Sequence, residues 1–254
     1  MKFLRERVLK GETMFGVAAQ LGSALTVEMI GRAGFDWTWI DCEHGSGDYS
    51  ELIHQIQVAR LGDSPAVVRI AWNEPTRFKR VLDLGAAGIM VPYVNTAAEA
   101  HQAAQSMRYQ PEGIRGVAGS PPACGFGQGF DDYYAKANDN LLTVVQIETV
   151  EGVKNADEIA AVPGVDVLFV GPMDLSINMG MPRQFKDAAF EANLERVVAA
   201  CRKHGKAAGI LTPTLDYLAP WKAKGYSFFV VGSDSTNLAK LLVDLHAKCA
   251  ELKG

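Results

Sequence analysis

The sequence predicts a (β/α)8 barrel. Eight short, nearly continuous apolar runs alternate with eight amphipathic segments along the 254 residues, a pattern typical of parallel strands covered on both faces by helices. The length also suits an α/β barrel that forms one domain. We therefore expect a single barrel domain over residues 1–254. A doubly wound open sheet is the competing topology.

The predicted strands are apolar and rich in β-branched or aromatic residues. They are TMFGVAA (13–19), WTWID (37–41), PAVVRIA (65–71), GIMVPYV (88–94), LLTVVQIE (141–148), VDVLFVG (165–171), AAGIL (207–211) and YSFFVVGS (226–233).

Helical patterns occupy the segments between these strands. They lie at 25–33, 50–60, 75–84, 96–107, 151–161, 187–204, 215–224 and 236–252. Pro75 lies where a proline at the start of a helix is expected. Five glycines follow helical patterns, as glycines that cap helix C-termini do: Gly34, Gly85, Gly164, Gly205 and Gly225. Only the stretch 108–140 is too rich in Gly, Pro and aromatic residues to predict regular structure, and long loops of this kind tend to be functional.

The composition excludes several classes of protein. A net charge of -4 argues against a basic surface that binds nucleic acid. No apolar run is long enough to span a membrane. The charged N-terminus is not a signal peptide, and four scattered cysteines indicate a reduced, cytoplasmic compartment. GFGQG at 125–129 does not link a strand to a helix, so we predict no nucleotide cofactor.

Ionisable and polar residues collect where the predicted strands end. Asp41, Glu43 and His44 follow the second strand, and Arg69 lies in the third. Further candidates follow later strands: Gln146, Glu148, Gly171, Pro172, Met173, Asp174, Leu211 and Thr212. Barrel enzymes carry their active sites at this end, so these residues predict an active site there.

Glu148 and Asp174 come from neighbouring strands, which are about 4.8 Å apart in a sheet. Their carboxylates could therefore converge on one hard divalent cation such as Mg or Mn, leaving positions for water and a chelating 2-oxo acid. The alternative is that each acid only caps the helix that follows it.

His44 and Arg69 are candidates for the chemistry itself. The pKa range of histidine suits proton transfer near neutral pH, although a lone histidine is more often structural. Arg69, flanked by apolar residues, is a candidate clamp on a carboxylate or a developing enolate. The alternative for Arg69 is an internal salt bridge, with Asp83 as one possible partner.

Several of these motifs resemble those of one enzyme family. WIDCEHG, VVRIAWNEP, RVLDLGAAGIMVPYV, RYQPEGIRG, VVQIETVEGV, GVDVLFVGPMDLS and FVVGSD are similar to segments of the class II pyruvate-type aldolases. More specifically, they resemble the 4-hydroxy-2-oxoheptanedioate and 2-dehydro-3-deoxyglucarate aldolases, in order, from about residue 14 to residue 240.

The resemblance implies a modified barrel that assembles as a homo-hexamer, with a C-terminal helix that can pack on a neighbouring subunit. It also implies a divalent metal ion (Mg, Mn or Co). Glu148 and Asp174 match the metal ligands, His44 the acid/base and Arg69 the transition-state stabiliser. Asp83 matches the carboxylate that raises the basicity of the histidine.

The substrate-contacting positions of the family match Gln146 and the GPMD segment, Gly171 to Asp174; Leu211 is a further candidate. This chain departs from the family pattern at Met173, where Ser or Ala is usual, and it lacks the proline that usually follows the histidine motif.

The predicted reaction is reversible cleavage of a 4-hydroxy-2-oxo acid to pyruvate, or hydroxypyruvate, and an aldehyde through a metal-stabilised enolate. No predicted strand ends in a well-placed lysine, so we expect no Schiff base. An oxaloacetate decarboxylase using the same site is the main alternative. A lyase acting on acyl-CoA thioesters and a non-catalytic binding protein are the others.

Overall fold

Eight parallel strands form a closed barrel in the computed structural model, which describes residues 4–252. The strands are β1 (Met14–Ala19), β2 (Trp37–Asp41), β3 (Ala66–Arg69), β4 (Gly88–Val91), β5 (Leu142–Ile147), β6 (Val167–Val170), β7 (Ala207–Leu211) and β8 (Phe228–Ser233). Each strand pairs with the next along the chain, and β8 pairs with β1. The predicted barrel is therefore confirmed, and the open sheet is excluded. The first three and last two residues of the predicted domain lie outside the described part.

Helices alternate with the strands around the outside of the barrel. They are α1 (Leu4–Leu9), α2 (Ala24–Arg32), α3 (Tyr49–Leu61), α4 (Pro75–Leu84), α5 (Ala97–Met107), α6 (Phe130–Asn140), α7 (Val150–Lys154), α8 (Ala156–Ala161), α9 (Pro172–Asn178), α10 (Ala188–His204), α11 (Leu218–Lys224) and α12 (Asp234–Glu251). Short 3-10 helices lie at Pro122–Cys124 and Leu215–Tyr217.

The expectation that 108–140 lacks regular structure is wrong for its second half. Helix α6 occupies Phe130–Asn140, and Asp131 and Asp132 lie in its first turn, where acids favour the helix dipole. The aromatic residues of this segment contact other parts of the loop: Tyr134 packs on Tyr109 at a ring-centroid distance of 4.9 Å. The predicted helix 151–161 is divided into α7 and α8 at Asn155.

The barrel interior is packed with large side chains. Trp37 stacks on Phe228 at a ring-centroid distance of 4.1 Å, and Phe169 meets Phe228 edge to face. Gly16 lies opposite Trp37 across the β1–β2 pair, and the indole fills the space that a side chain at residue 16 would need. This interior is a filled core, so function depends on the two barrel ends.

Helix α12 is packed differently from the other helices. None of its 18 residues is buried. Its exposed leucines are spaced three and four residues apart along one face: Leu238, Leu241, Leu242 and Leu245. Among the described residues, no helix is long and apolar enough to cross a membrane.

Candidate active site

The parallel strands bring the predicted site residues other than Asp83 to one end of the barrel. Asp41 and Arg69 are register partners on β2 and β3. Ile147 and Val170 are partners on β5 and β6, so Glu148 and Gly171 follow side by side. Because all strands run the same way, these residues share the C-terminal mouth.

Arg69 lies at the centre of an acidic network. Its guanidinium donates from Nε to Asp41 Oδ1 at 2.9 Å and from Nη2 to Asp41 Oδ2 at 2.7 Å, and its Nη1 lies 2.9 Å from Glu43 Oε2. It also lies over the ring of Trp39, 4.5 Å from the centroid. The salt-bridge alternative for Arg69 was right in kind, but Asp83 was the wrong partner.

Asp41 is the residue that orients this arginine. Burial alone would raise the pKa of its carboxyl, but the hydrogen bonds and charge of Arg69, together with hydrogen bonds from Gln20 and His44, outweigh burial and hold the pKa below its usual value. Gln20 donates to Oδ2 at 3.0 Å, and the backbone N–H of His44 donates to Oδ1 at 3.2 Å. A charged Asp41 therefore fixes both Arg69 and the turn that carries His44.

His44 presents its imidazole to solvent at the barrel mouth. Its side chain is 66% exposed, and Nε2 lies 3.8 Å from Glu43 Oε2. An exposed imidazole beside a carboxylate is accessible to a bound substrate, as an acid/base needs to be.

Asp83 is not brought to His44 within the single chain. It lies near the end of α4, which begins after the C-terminal end of β3 and runs back along the barrel. Ten residues of helix span about 15 Å, so Asp83 lies toward the opposite end. There it accepts a hydrogen bond from Arg115 Nη2 at 2.7 Å, and the Arg115 side chain is fully buried.

Glu148 is buried directly behind the mouth, with 2% of its surface exposed. Its Oε1 accepts from the backbone N–H of Tyr93 at 2.8 Å, and its Oε2 from Gln146 Nε2 at 3.2 Å. Burial raises its pKa to about 7; the Tyr93 hydrogen bond opposes this rise, and the nearby carboxylates of Asp174 and Glu43 add to it. The helix-cap alternative fails for Glu148, because Thr149 caps α7 instead.

Asp174 lies in the first turn of α9, which begins at Pro172. No side chain caps this helix, and Gly171 occupies the N-cap position. The GPMD segment therefore forms the N-cap and the first turn of this short helix. Met173 is 39% exposed at its start.

The residues at the mouth fit a divalent cation in their chemistry. Glu43, Glu148 and Asp174 interact electrostatically with one another, and burial also raises the pKa of Glu43. A cation would compensate this crowding of negative charge. Gln146 adds a buried Oε1 without a hydrogen-bond partner. Within residues 4–252 no group of three or more His, Cys, Asp or Glu side chains is arranged to hold a metal ion.

Two of the predicted substrate-contacting residues also lie at this end. Gln146 is 2% exposed, and its amide points toward Glu148. Leu211 ends β7 and is partly buried. The next residue, Thr212, is tied to β8 through hydrogen bonds from its N–H and Oγ1 to Val230 O.

Sequence reasoning missed two contributors to the site. Gln20 lies just after β1, and no local pattern distinguishes it from a surface glutamine. Tyr93 was included in the predicted strand 88–94, but β4 ends at Val91 and Tyr93 adopts a φ of 53°. The proline at position 92 was the only available signal of an early strand end.

Comparisons with known proteins point to one family. Residues 15–240 match the family model described as HpcH/HpaI aldolase/citrate lyase. A protein of Salmonella arizonae named 5-keto-4-deoxy-D-glucarate aldolase is 41% identical over 223 residues, which cover 88% of this chain and 87% of the relative. A relative of the same name from Klebsiella pneumoniae is 40% identical over the same shares. A crystal structure of a protein of this family from Burkholderia cenocepacia, 33% identical, gives a TM-score of 0.91 and covers 100% of both chains.

Proposed function

Because the chain belongs to the HpcH/HpaI aldolase/citrate lyase family, we propose that it is a divalent-cation-dependent aldolase that cleaves 4-hydroxy-2-oxo acids. The observation that carries the proposal is the acidic barrel mouth, where the buried Glu148 lies near Asp174 and Glu43. Family membership also confirms the aldolase-type lyase predicted from the sequence.

The substrate class follows from the names of the relatives. A 5-keto-4-deoxy-D-glucarate aldolase acts on a six-carbon sugar diacid. Breaking the bond between the hydroxyl-bearing carbon and the methylene next to the ketone gives pyruvate and a three-carbon hydroxy aldehyde acid. We assign this chain a substrate of that class, with pyruvate rather than hydroxypyruvate as the 2-oxo acid product.

Glu148 and Asp174 are the side chains that would hold the cation, which is Mg, Mn or Co. A divalent cation bound there would withdraw electrons from the keto and carboxylate oxygens of a 2-oxo acid. Two protein ligands leave room for both of these substrate oxygens.

The remaining residues handle the proton and the developing charge. His44 accepts the proton of the substrate hydroxyl, the carbon–carbon bond breaks, and its electron pair moves toward the former keto oxygen. Arg69, fixed by Asp41, stabilises the negative charge that develops there. The same histidine then returns a proton to the new methyl carbon of pyruvate.

The start of α9 offers donors for the substrate carboxylate. Because Pro172 begins the helix, the N–H groups of Met173 and Asp174 lie in its first turn and have no intrahelical acceptor. Gln146 provides a further polar group at the base of the mouth.

Asp83 would serve His44 only across a subunit boundary. Within one chain the two residues lie toward opposite ends of the barrel. Arg115 holds Asp83 Oδ1 and leaves the 23%-exposed carboxylate at the surface, where a second copy could approach. We therefore place the pair between two subunits of a homo-hexamer.

Helix α12 supplies the apolar surface for this assembly. A hollow of about 360 Å³ next to β1 and β8 is lined by Phe15, Phe35, Leu215, Leu218 and Val231. The apolar face of α12 is of the kind that would fill such a hollow. A swap in which α12 of one copy covers the barrel of another removes both exposed surfaces from water.

The test is pyruvate release from 5-keto-4-deoxy-D-glucarate by protein stripped of metal with EDTA. We expect no release from the stripped protein and recovery on addition of Mn or Mg. Borohydride added with pyruvate should not inactivate the enzyme, because no lysine imine forms. Full activity in metal-free protein, or borohydride inactivation, would refute the proposal.

The same assay separates the oxaloacetate decarboxylase alternative, which no observation favours. Rapid CO₂ release from oxaloacetate without cleavage of any hydroxy-oxo acid would support it. We expect aldol cleavage to be the faster reaction by kcat/KM.

A further inference from the structure

The carboxylate of Glu148 is held by a backbone N–H group and by a side-chain amide. Oε1 accepts from the backbone N–H of Tyr93 at 2.8 Å, and Oε2 from Gln146 at 3.2 Å. The side chain is almost fully buried, so its orientation is set by these contacts rather than by solvent.

The Tyr93 contact depends on an unfavourable backbone conformation. Its φ of 53° lies in the left-handed region, which residues other than glycine, and bulky ones in particular, rarely adopt. The conformation is not explained by burial of the ring, because the residue is 42% exposed. On the C-terminal side of Tyr93, this backbone conformation is held by the Val94 N–H, which donates to Gln146 O at 3.1 Å. Strain of this kind persists where the surrounding structure imposes it and clusters at functional sites.

Gly171 limits the same carboxylate from the other side. A Cβ built on Gly171 would lie 2.6 Å from Glu148 Oε2 and 3.2 Å from Glu148 Cβ. The φ of Gly171 is −90°, which any residue can adopt. Glycine is therefore required here for the close approach of Glu148 and not for the backbone conformation.

We propose that Tyr93 and Gly171 are positioning residues that together set the orientation of the Glu148 carboxylate for a divalent cation. The left-handed turn at Tyr93 aims its N–H at Oε1, and the bare Cα of Gly171 leaves the space that Oε2 occupies. This inference rests on the proposed function, in which Glu148 is a cation ligand. It assigns Gly171 a role in addition to the predicted substrate contact.

The physical reason is that a flexible glutamate binds a cation well only when its orientation is fixed in advance. Groups that hydrogen-bond or pack against a ligand typically change metal affinity about 10- to 100-fold when they are altered. Both features act on position, so the net charge of the site stays the same when they are changed.

The experiment measures Mn²⁺ affinity of the metal-stripped full chain by titration calorimetry. Tyr93→Gly, Tyr93→Ala and Tyr93→Val all remove the phenol, but they differ in how well they tolerate a positive φ. We expect Gly to retain wild-type affinity, Ala to weaken it, and Val to weaken it about tenfold or more. Gly171→Ala should weaken it similarly, because its methyl group displaces Oε2.

Matched controls lie at the other end of the barrel. Asp63→Val places the same residue at another non-glycine position with a positive φ, 57°. Gly62→Ala adds a methyl group whose nearest neighbours, Val58 O and Gly31 Cα, lie at ordinary contact distance, 3.5 and 3.6 Å. Neither control should change Mn²⁺ affinity, whatever it does to the melting temperature.

The outcomes separate this inference from the proposed function. If wild type binds Mn²⁺ and Tyr93→Val and Gly171→Ala bind it equally well, the positioning role is refuted while the cation site stands. If wild type binds no Mn²⁺, the proposed function fails and the positioning role with it. If the Val variant does not fold, the Ala and Gly pair decides: equal affinity refutes the role of Tyr93, and weaker binding by Ala supports it.

Discussion

Arg69 contacts two carboxylates of the acidic barrel mouth directly. Asp41 binds two of its nitrogens, Glu43 lies against a third, and Trp39 supports the guanidinium plane. A buried arginine in this arrangement keeps one orientation, which an electrostatic stabiliser needs before the reaction begins.

Asp41→Asn should therefore affect both stability and turnover. Removing one partner of a buried ion pair leaves Arg69 with Glu43 alone, so we expect a loss of about 2–4 kcal/mol in the free energy of unfolding. Turnover should fall with it, because Arg69 gains alternative orientations. Urea unfolding and steady-state kinetics measure the two effects, and an unchanged kcat would argue against the orienting role.

The stability difference should depend on pH in a defined direction. The folded-state pKa of Asp41 lies below its usual value, so its charged form stabilises the fold above the unfolded pKa of about 4. That contribution is lost as pH falls through the lower folded value. The difference between wild type and Asp41→Asn should be constant from neutral pH to about 5 and shrink below about 4. A difference that grew on acidification would contradict this.

His44→Ala should lose most of the turnover while Mn²⁺ binds as in wild type. The imidazole is exposed at the mouth and holds no buried neighbour in place, so the fold should be little changed. His54→Ala, in α3, is the matched control and should keep its activity. Survival of turnover in His44→Ala would place the base elsewhere.

At the level of elements, strand β1 needs a glycine at residue 16, because the ring of Trp37 occupies the space that a side chain there would fill. A Cβ on Gly16 would lie 2.5 Å from the Trp37 ring, which is itself packed on Phe228 and cannot move aside. Gly16→Ala should therefore destabilise the fold by about 1–3 kcal/mol through overpacking. Gly119→Ala, with open space around it, is the control for urea unfolding. Equal stability of the two variants would contradict this view of the barrel interior.

The strands were predictable because both of their faces are apolar. Runs such as VDVLFVG carry that signal without tertiary information. Helix α6 was missed because its stability comes partly from Tyr133 and Tyr134 packing on distant parts of the loop, and a local pattern does not contain such contacts.

The site was predictable to the extent that its residues follow strands. Glu148 and Asp174 follow adjacent strands, and adjacency in a parallel barrel can be read from chain order. The contact between Arg69 and Asp41 depends on the register between β2 and β3, which cannot be read from the sequence alone. The left-handed turn at Tyr93 likewise depends on packing rather than on residue type.

At the scale of the molecule, the described chain leaves an unburied apolar helix, α12. About 27 Å of helix with a leucine stripe is unusual for a surface that stays in water. Leu241→Lys with Leu242→Lys should dissociate the proposed hexamer into smaller species in multi-angle light scattering. Asp244→Lys adds a lysine off the stripe and should leave the assembly intact. An unchanged mass in the double variant would contradict the swap.

The central claim is that Glu148 and Asp174 hold one divalent cation at the barrel mouth. Anomalous scattering from crystals grown with Mn²⁺ and oxalate, a non-reacting mimic of the 2-oxo acid, tests it most directly. We expect one strong peak bridging the two carboxylates, with oxalate bound to the same ion. Carboxylates that point apart with no peak between them, or a peak at a different site, would contradict the account.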